Sequence, residues 1–90
     1  MAKISDEKLE ELKSYPLSYR LKRLRTMSGY TQKQAASLMG VHQQSICCWE
    51  TEVQAPIRRM LEKYIELYEL PIDYFDDIEI ERLKLKKGKD

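Results

Sequence analysis

The stretch Thr31-Gln32-Lys33-Gln34-Ala35-Ala36-Ser37-Leu38-Met39-Gly40-Val41-His42-Gln43-Gln44-Ser45-Ile46-Cys47-Cys48-Trp49-Glu50 decides how this chain folds. Thr31 with Gln34 three residues on is a reciprocal helix start: each side chain reaches the other residue's backbone N–H. Ala35, Leu38 and Met39 keep helical spacing and give that helix an apolar face. Gly40 stops it, at a sharp turn whose positive φ glycine adopts without steric cost. Val41 begins the turn, and a second helix is expected over about 43–50. Ala35 is small where the second helix crosses close to it, and Val41 and Ile46 plug the angle between the two.

Placing Ile46 inward, with Trp49 and the stem of Glu50, turns Gln44, Cys47, Cys48 and Thr51 outward, with Gln43 at the leading end. That outward face carries no charge in a chain that is 34% charged. Such a face suits a helix that reads base edges, because a glutamine amide pairs bidentately with adenine N6 and N7. The plainer alternative is a polar helix with no partner.

Working outward, every segment before residue 77 reads as helical with short connections. Ser5 caps a helix expected over 6–14, with acids in its first turn and Leu9 and Leu12 on one face. Pro16 breaks it. Ser18 is the expected cap of the next helix, which carries Leu21, Leu24 and Arg25 and ends at Gly29. After the 43–50 helix, the loop Thr51-Glu52-Val53-Gln54-Ala55 leads to Pro56, which suits the first turn of a fifth helix bearing Leu61, Tyr64, Ile65 and Tyr68. Leu70, Ile72 and Phe75 suit a short final turn or helix. Ile78-Glu79-Ile80-Glu81 alternates like a strand, but Leu83 and Leu85 fall out of phase, leaving strand and helix both open.

Ninety residues make one small domain, and a chain of this size buries only about 60–65% of its unfolded surface, so it must be largely regular to fold. Three glycines exclude a glycine-rich phosphate cradle, and a single histidine excludes multi-histidine metal sites. Cys47 and Cys48 are adjacent, cannot staple distant segments, and point to a reducing compartment. Zinc held by His42, Cys47 and Cys48 fails for want of a fourth ligand. A redox switch at the two thiols has less in its favour than two small residues that fit. No apolar run approaches about 18 residues and no signal-peptide stretch is present, so a cytoplasmic protein without a membrane segment is expected. The net charge of +1 hides opposed blocks: −2 over 1–12, +6 over 13–59, −7 over 60–81 and +4 over 82–90. Charge sorted in this way reports faces with different partners. The acid pair Asp76-Asp77 reads as a solvated face. Neither an enzyme nor a cofactor is expected.

The run Leu21-Lys22-Arg23-Leu24-Arg25, Thr31-Gln32-Lys33-Gln34-Ala35-Ala36, Gly40-Val41, Gln43-Gln44-Ser45-Ile46, Trp49-Glu50 and Pro56 resembles the Cro/cI-type (XRE, lambda-repressor-like) helix-turn-helix family over about residues 17–76. His42-Gln43-Gln44-Ser45-Ile46 is especially similar to the recognition helices of lambdoid phage repressors. The resemblance implies an all-α, compact five-helix DNA-binding domain at 17–76, preceded by an N-terminal helical arm at 1–16 and followed by a charged tail at 77–90. It implies sequence-specific binding of double-stranded DNA in the major groove by a transcriptional regulator of repressor type. A homodimer would act on an operator with two-fold symmetry, its half-sites about 34 Å apart.

Carried over residue by residue, Gln43, Gln44 and Cys48 match base-contacting positions and His42 the N-cap. Gln32 matches a glutamine that touches phosphate and braces the first recognition glutamine. Lys33, Thr51 and Arg58 are further phosphate candidates, and Arg25 with Glu50 matches a buried structural ion pair. The loop departs from the family pattern, because Glu52 stands where a glycine is expected and no base follows it before Pro56. An alternative function is an antitoxin or adaptor-type interaction module, with a protein partner on the acidic 60–81 face and secondary DNA binding.

Overall fold

The computed structural model describes residues 4–78, and the 79–81 alternation and the basic tail lie outside them. Five helices follow one another: α1 (Asp6–Leu12), α2 (Leu17–Met27), α3 (Gln32–Met39), α4 (Gln43–Glu50) and α5 (Arg58–Tyr68). Residues 76–78 are again helical, and there is no strand among the described residues. The fold is all-α, as expected. None of these helices is long and apolar enough to cross a membrane.

Local chemistry explains most boundaries. The Ser5 hydroxyl accepts from the Lys8 amide at the start of α1. Its helix stops at Leu12, two residues short of the expected 14, because the Ser14 amide and hydroxyl both turn back to the Glu11 carbonyl. The expected Ser18 cap is corrected: α2 begins at Leu17 with Pro16 at the N-cap and no side-chain cap. The Thr31–Gln34 capping box is complete, with bonds of 3.1 and 2.9 Å. Pro56 is likewise displaced from its expected place. It is fully buried in the approach to α5, and Ile57 takes the N-cap.

Four helix ends close through a left-handed residue: Gly29 after α2, Gly40 after α3, Glu52 after α4 and Glu69 after α5. At α2, Tyr30 N–H donates to the Arg25 carbonyl and Gly29 N–H to Thr26, a Schellman closure. At α4, Val53 N–H donates to the Cys48 carbonyl at 3.0 Å, the same six-residue ring with glutamate in the glycine seat. A side chain with a Cβ pays roughly 1 kcal/mol for that conformation.

One core runs through all five helices. Leu21, Leu24, Ile46, Leu61 and Phe75 are fully buried within it, and Leu9 and Leu12 of α1 belong to the same cluster. Burial of each such leucine contributes about 1.5–3 kcal/mol. Trp49 is core, meeting the Tyr64 ring edge-on with centroids 6.0 Å apart. In the segment after α5, Ile72 is 79% exposed, and Tyr74 takes the buried place beside Leu70 and Phe75. The expected Ile72 position is thus corrected. Residues 71–75 form successive turns, so helical spacing does not govern which of them face inward.

Candidate functional site

Gly40, at φ 69°, turns the chain so that α4 leaves α3 at once, with His42 in extended backbone at its N-cap. The His42 side chain makes no cap hydrogen bond, so the amides of the first turn of α4 lack a side-chain acceptor. Ile46 is fully buried and Trp49 and Glu50 are buried, which fixes the rotation of α4 about its axis. Gln43 and Gln44 are exposed, and Cys47 and Cys48 are half-buried free thiols. The Gln44 amide nitrogen lies 3.8 Å from the Cys48 sulfur, one turn away. Gln43, Gln44 and Cys48 therefore share one uncharged, accessible surface at the start and middle of α4.

The far end of α4 is anchored from beneath. Arg25 reaches from α2 to Glu50 with a two-pronged contact, Nε to Oε2 at 2.8 Å and Nη2 to Oε1 at 3.0 Å. Its third nitrogen donates to the Tyr30 carbonyl at 2.8 Å. The hydrogen bond and charge of Glu50 raise the Arg25 pKa, with burial opposing. The expected Arg25–Glu50 pair is present, and it ties α4 to the α2–α3 corner. Gln32 adds a third link, its Nε2 donating to Glu50 Oε1 at 3.2 Å. The amide thus braces Glu50 in this structure, at the end of α4 opposite Gln43.

The remaining candidates separate. Lys33 is exposed and forms no ion pair among the described residues. Thr51 directs both its amide and its hydroxyl at the Cys47 carbonyl, at 3.0 and 2.8 Å, so its donors are engaged. Arg58 stands apart from α4: Glu62 and Asp76 hold its guanidinium at 3.4 and 3.6 Å, and Nη2 donates to the Ile72 carbonyl. A phosphate contact would have to draw it away from these partners.

Sequence reading missed Arg20 altogether. It counts as a base in the 13–59 block, yet only 1% of its side chain is exposed. Asp77 accepts from both of its terminal nitrogens at 3.2 and 3.0 Å, the Lys13 carbonyl accepts at 3.0 Å, and the Tyr74 ring lies 5.4 Å away. Burial pushes the Asp77 carboxyl up, but the hydrogen bond and charge of Arg20 outweigh it and hold the pKa below its ordinary 3.8. Asp77 keeps a half-exposed side chain, in line with the solvated-face reading of Asp76-Asp77, and in addition anchors Arg20. The signal lay in the spacing, since Arg20 sits one turn before Leu24 on the buried stripe. Lys13 is also paired, to Glu10 at 3.0 Å. Within 13–59, the bases in no ion pair among the described residues are Lys22, Arg23, Lys33 and Arg59.

Compared with known proteins, residues 21–75 match the family model described as Helix-turn-helix, more than half of the chain. No curated protein and no solved structure matches it.

Proposed function

The chain belongs to the Cro/cI-like (XRE) helix-turn-helix family, a DNA-binding family, and on that premise we propose that it is a sequence-specific transcriptional repressor working as a homodimer in the cytoplasm. The observation that carries this reading is the surface of α4: exposed Gln43 and Gln44, no charge, and a rotation fixed by Ile46 and the Arg25–Glu50 anchor. Gln44 and Gln43 read base edges, and Cys48 packs its small apolar sulfur on a thymine methyl. Lys33 and the amides at the start of α4 meet phosphates, positioning the helix without specifying sequence. Occupancy of an operator is the repressing act. Ile57 and Ile72 are exposed and linked through Arg58, and they supply apolar surface for contact between two copies.

Selection from a random-sequence duplex pool at low salt tests the reading. The expected product is an inverted repeat with half-sites about one helical turn, 34 Å, apart. Gln44→Ala should relax preference at one base pair per half-site by about 1–3 kcal/mol. A pool that shows no enrichment overturns the reading.

One observation favours the interaction-module alternative. Leu38 is an exposed apolar residue of α3 beside a hollow of about 370 Å³ that it shares with Met39, Lys63, Glu66 and Leu67. Glu66 and Glu69 form no ion pair among the described residues. A protein partner would meet the domain there, leaving α4 free.

A further inference from the structure

Glu52 occupies its place against three physical preferences. It adopts φ 65°, a conformation that glycine accepts and a side chain with a Cβ resists. It puts a negative charge just beyond the C-terminus of α4, where the helix dipole is already negative. Its carboxylate forms no hydrogen bond or ion pair with any described residue, so no internal contact compensates.

The position matters because α4 is short. Its eight residues span about 12 Å at 1.5 Å per residue, and the major groove is about 12 Å wide. With α4 lying across or along that groove, the loop after its last turn comes within roughly a Debye length, about 8–10 Å, of a phosphate strand. In that seating Glu52 faces phosphate repulsion. With Arg20, Arg25, Lys13 and Arg58 engaged internally, half of the bases in 13–59 are paired among the described residues, and one acid beside α4 weighs the more.

We propose that Glu52 is an affinity-setting residue: its carboxylate, held at the end of the reading helix by a left-handed Schellman closure, keeps DNA binding weaker and more reversible than α4 would otherwise give. This rests on the DNA-binding reading above. It concerns binding strength, not the bases read.

Glu69 supplies the internal control. It is a second glutamate in the left-handed seat, φ 54°, at the end of α5. Replacing either glutamate with glycine relieves backbone strain, but only one of them stands at α4. The competing structural role is also visible, because Glu52 shares a hollow of about 190 Å³ with Leu17 and Ser18 at the uncapped start of α2. A carboxylate there would stabilise the α2 N-terminus.

The test measures binding of the full chain to a random-sequence 30-base-pair duplex across a salt series, together with thermal stability. Glu52→Gln, which removes charge and keeps the strain, should tighten binding roughly threefold at low salt, with the gain fading as salt rises. Glu52→Lys should tighten it roughly tenfold and steepen the log–log salt slope by about 0.9. Glu52→Gly should raise both affinity and melting temperature, whereas Glu69→Gly should raise melting temperature alone. Equal affinity for the wild type, Glu52→Gln and Glu52→Lys would sink the proposal while leaving the DNA-binding reading intact. A lower melting temperature for Glu52→Gln with unchanged affinity would assign the carboxylate to α2 and overturn it too. Absence of binding by all variants at low salt would remove both readings.

Discussion

Helix α2 carries two buried arginines five residues apart, and they hold different elements. Arg25 grips Glu50 at the end of α4, and Arg20 grips Asp77 beyond α5. The Glu50 side chain is 2% exposed, whereas that of Asp77 is 45% exposed. The first pair is a dry anchor, supported by the Tyr30 carbonyl on Arg25 and the Gln32 amide on Glu50. The second is a half-wet latch, supplemented by the Lys13 carbonyl and the Tyr74 ring. Arg25 and Glu50 lie within the family-matched residues 21–75, and Arg20 and Asp77 lie just outside them. The dry pair thus lies inside the matched helix-turn-helix segment, and the wet one brackets it.

The contrast predicts a graded set of losses. Glu50→Ala strands the Arg25 charge and removes the acceptor of Gln32, and should cost about 3–5 kcal/mol in urea unfolding. A loss near 1 kcal/mol would show the pair to be wetter than its burial implies.

Next comes Tyr74→Phe. The Tyr74 hydroxyl donates to the Leu9 carbonyl at 2.7 Å, and losing a buried bond of this kind costs about 0.5–1.5 kcal/mol. Burial, with Arg20 opposing, pushes the Tyr74 pKa up to about 12. An unfolded tyrosine releases its proton near 10, so the native state binds more protons above that pH and stability falls as pH rises. The variant should lose less stability than the wild type on titration from neutral pH to beyond pH 10. Tyr64 and Tyr68, also raised chiefly by burial, keep part of the dependence.

Asp77→Asn should have the smallest effect, about 1 kcal/mol or less near neutral pH, since solvent screens the exposed carboxylate. Its folded pKa is depressed, so its contribution is present above the ordinary carboxylate value and is lost as pH falls through the depressed one. Wild-type and variant stabilities should converge in acid. A gap that persists even below the depressed folded pKa would mean that Asp77 acts through packing and not charge.

What the sequence made legible was local. The capping box, the Gly40 turn and the inward Ile46 are each written within a few residues, so α3 and α4 appear where expected. Arg25 with Glu50 was legible only through resemblance, because 25 residues separate them. Arg20 with Asp77 was not legible, since 57 residues intervene and neither residue announces a partner. The resemblance puts Gln32 at a phosphate, and its bond to Glu50 depends on a crossing of α3 and α4 that no periodicity encodes. Ile72 is exposed and Tyr74 buried because turn geometry, not helical period, orients them.

The Tyr74–Leu9 bond joins residues 65 apart, and that separation bears on the order in which the molecule assembles. Closing so long a loop carries a larger entropic cost than bringing Arg25 to Glu50. This contact should therefore close late on the folding path, after α2, α3 and α4 have packed together. Tyr74→Phe should then accelerate unfolding and leave the folding rate nearly unchanged, whereas slowed folding would place the contact in the nucleus. In kinetic terms, what the flanking segments add to this fold is persistence: they govern how long the domain stays folded, more than how fast it gets there.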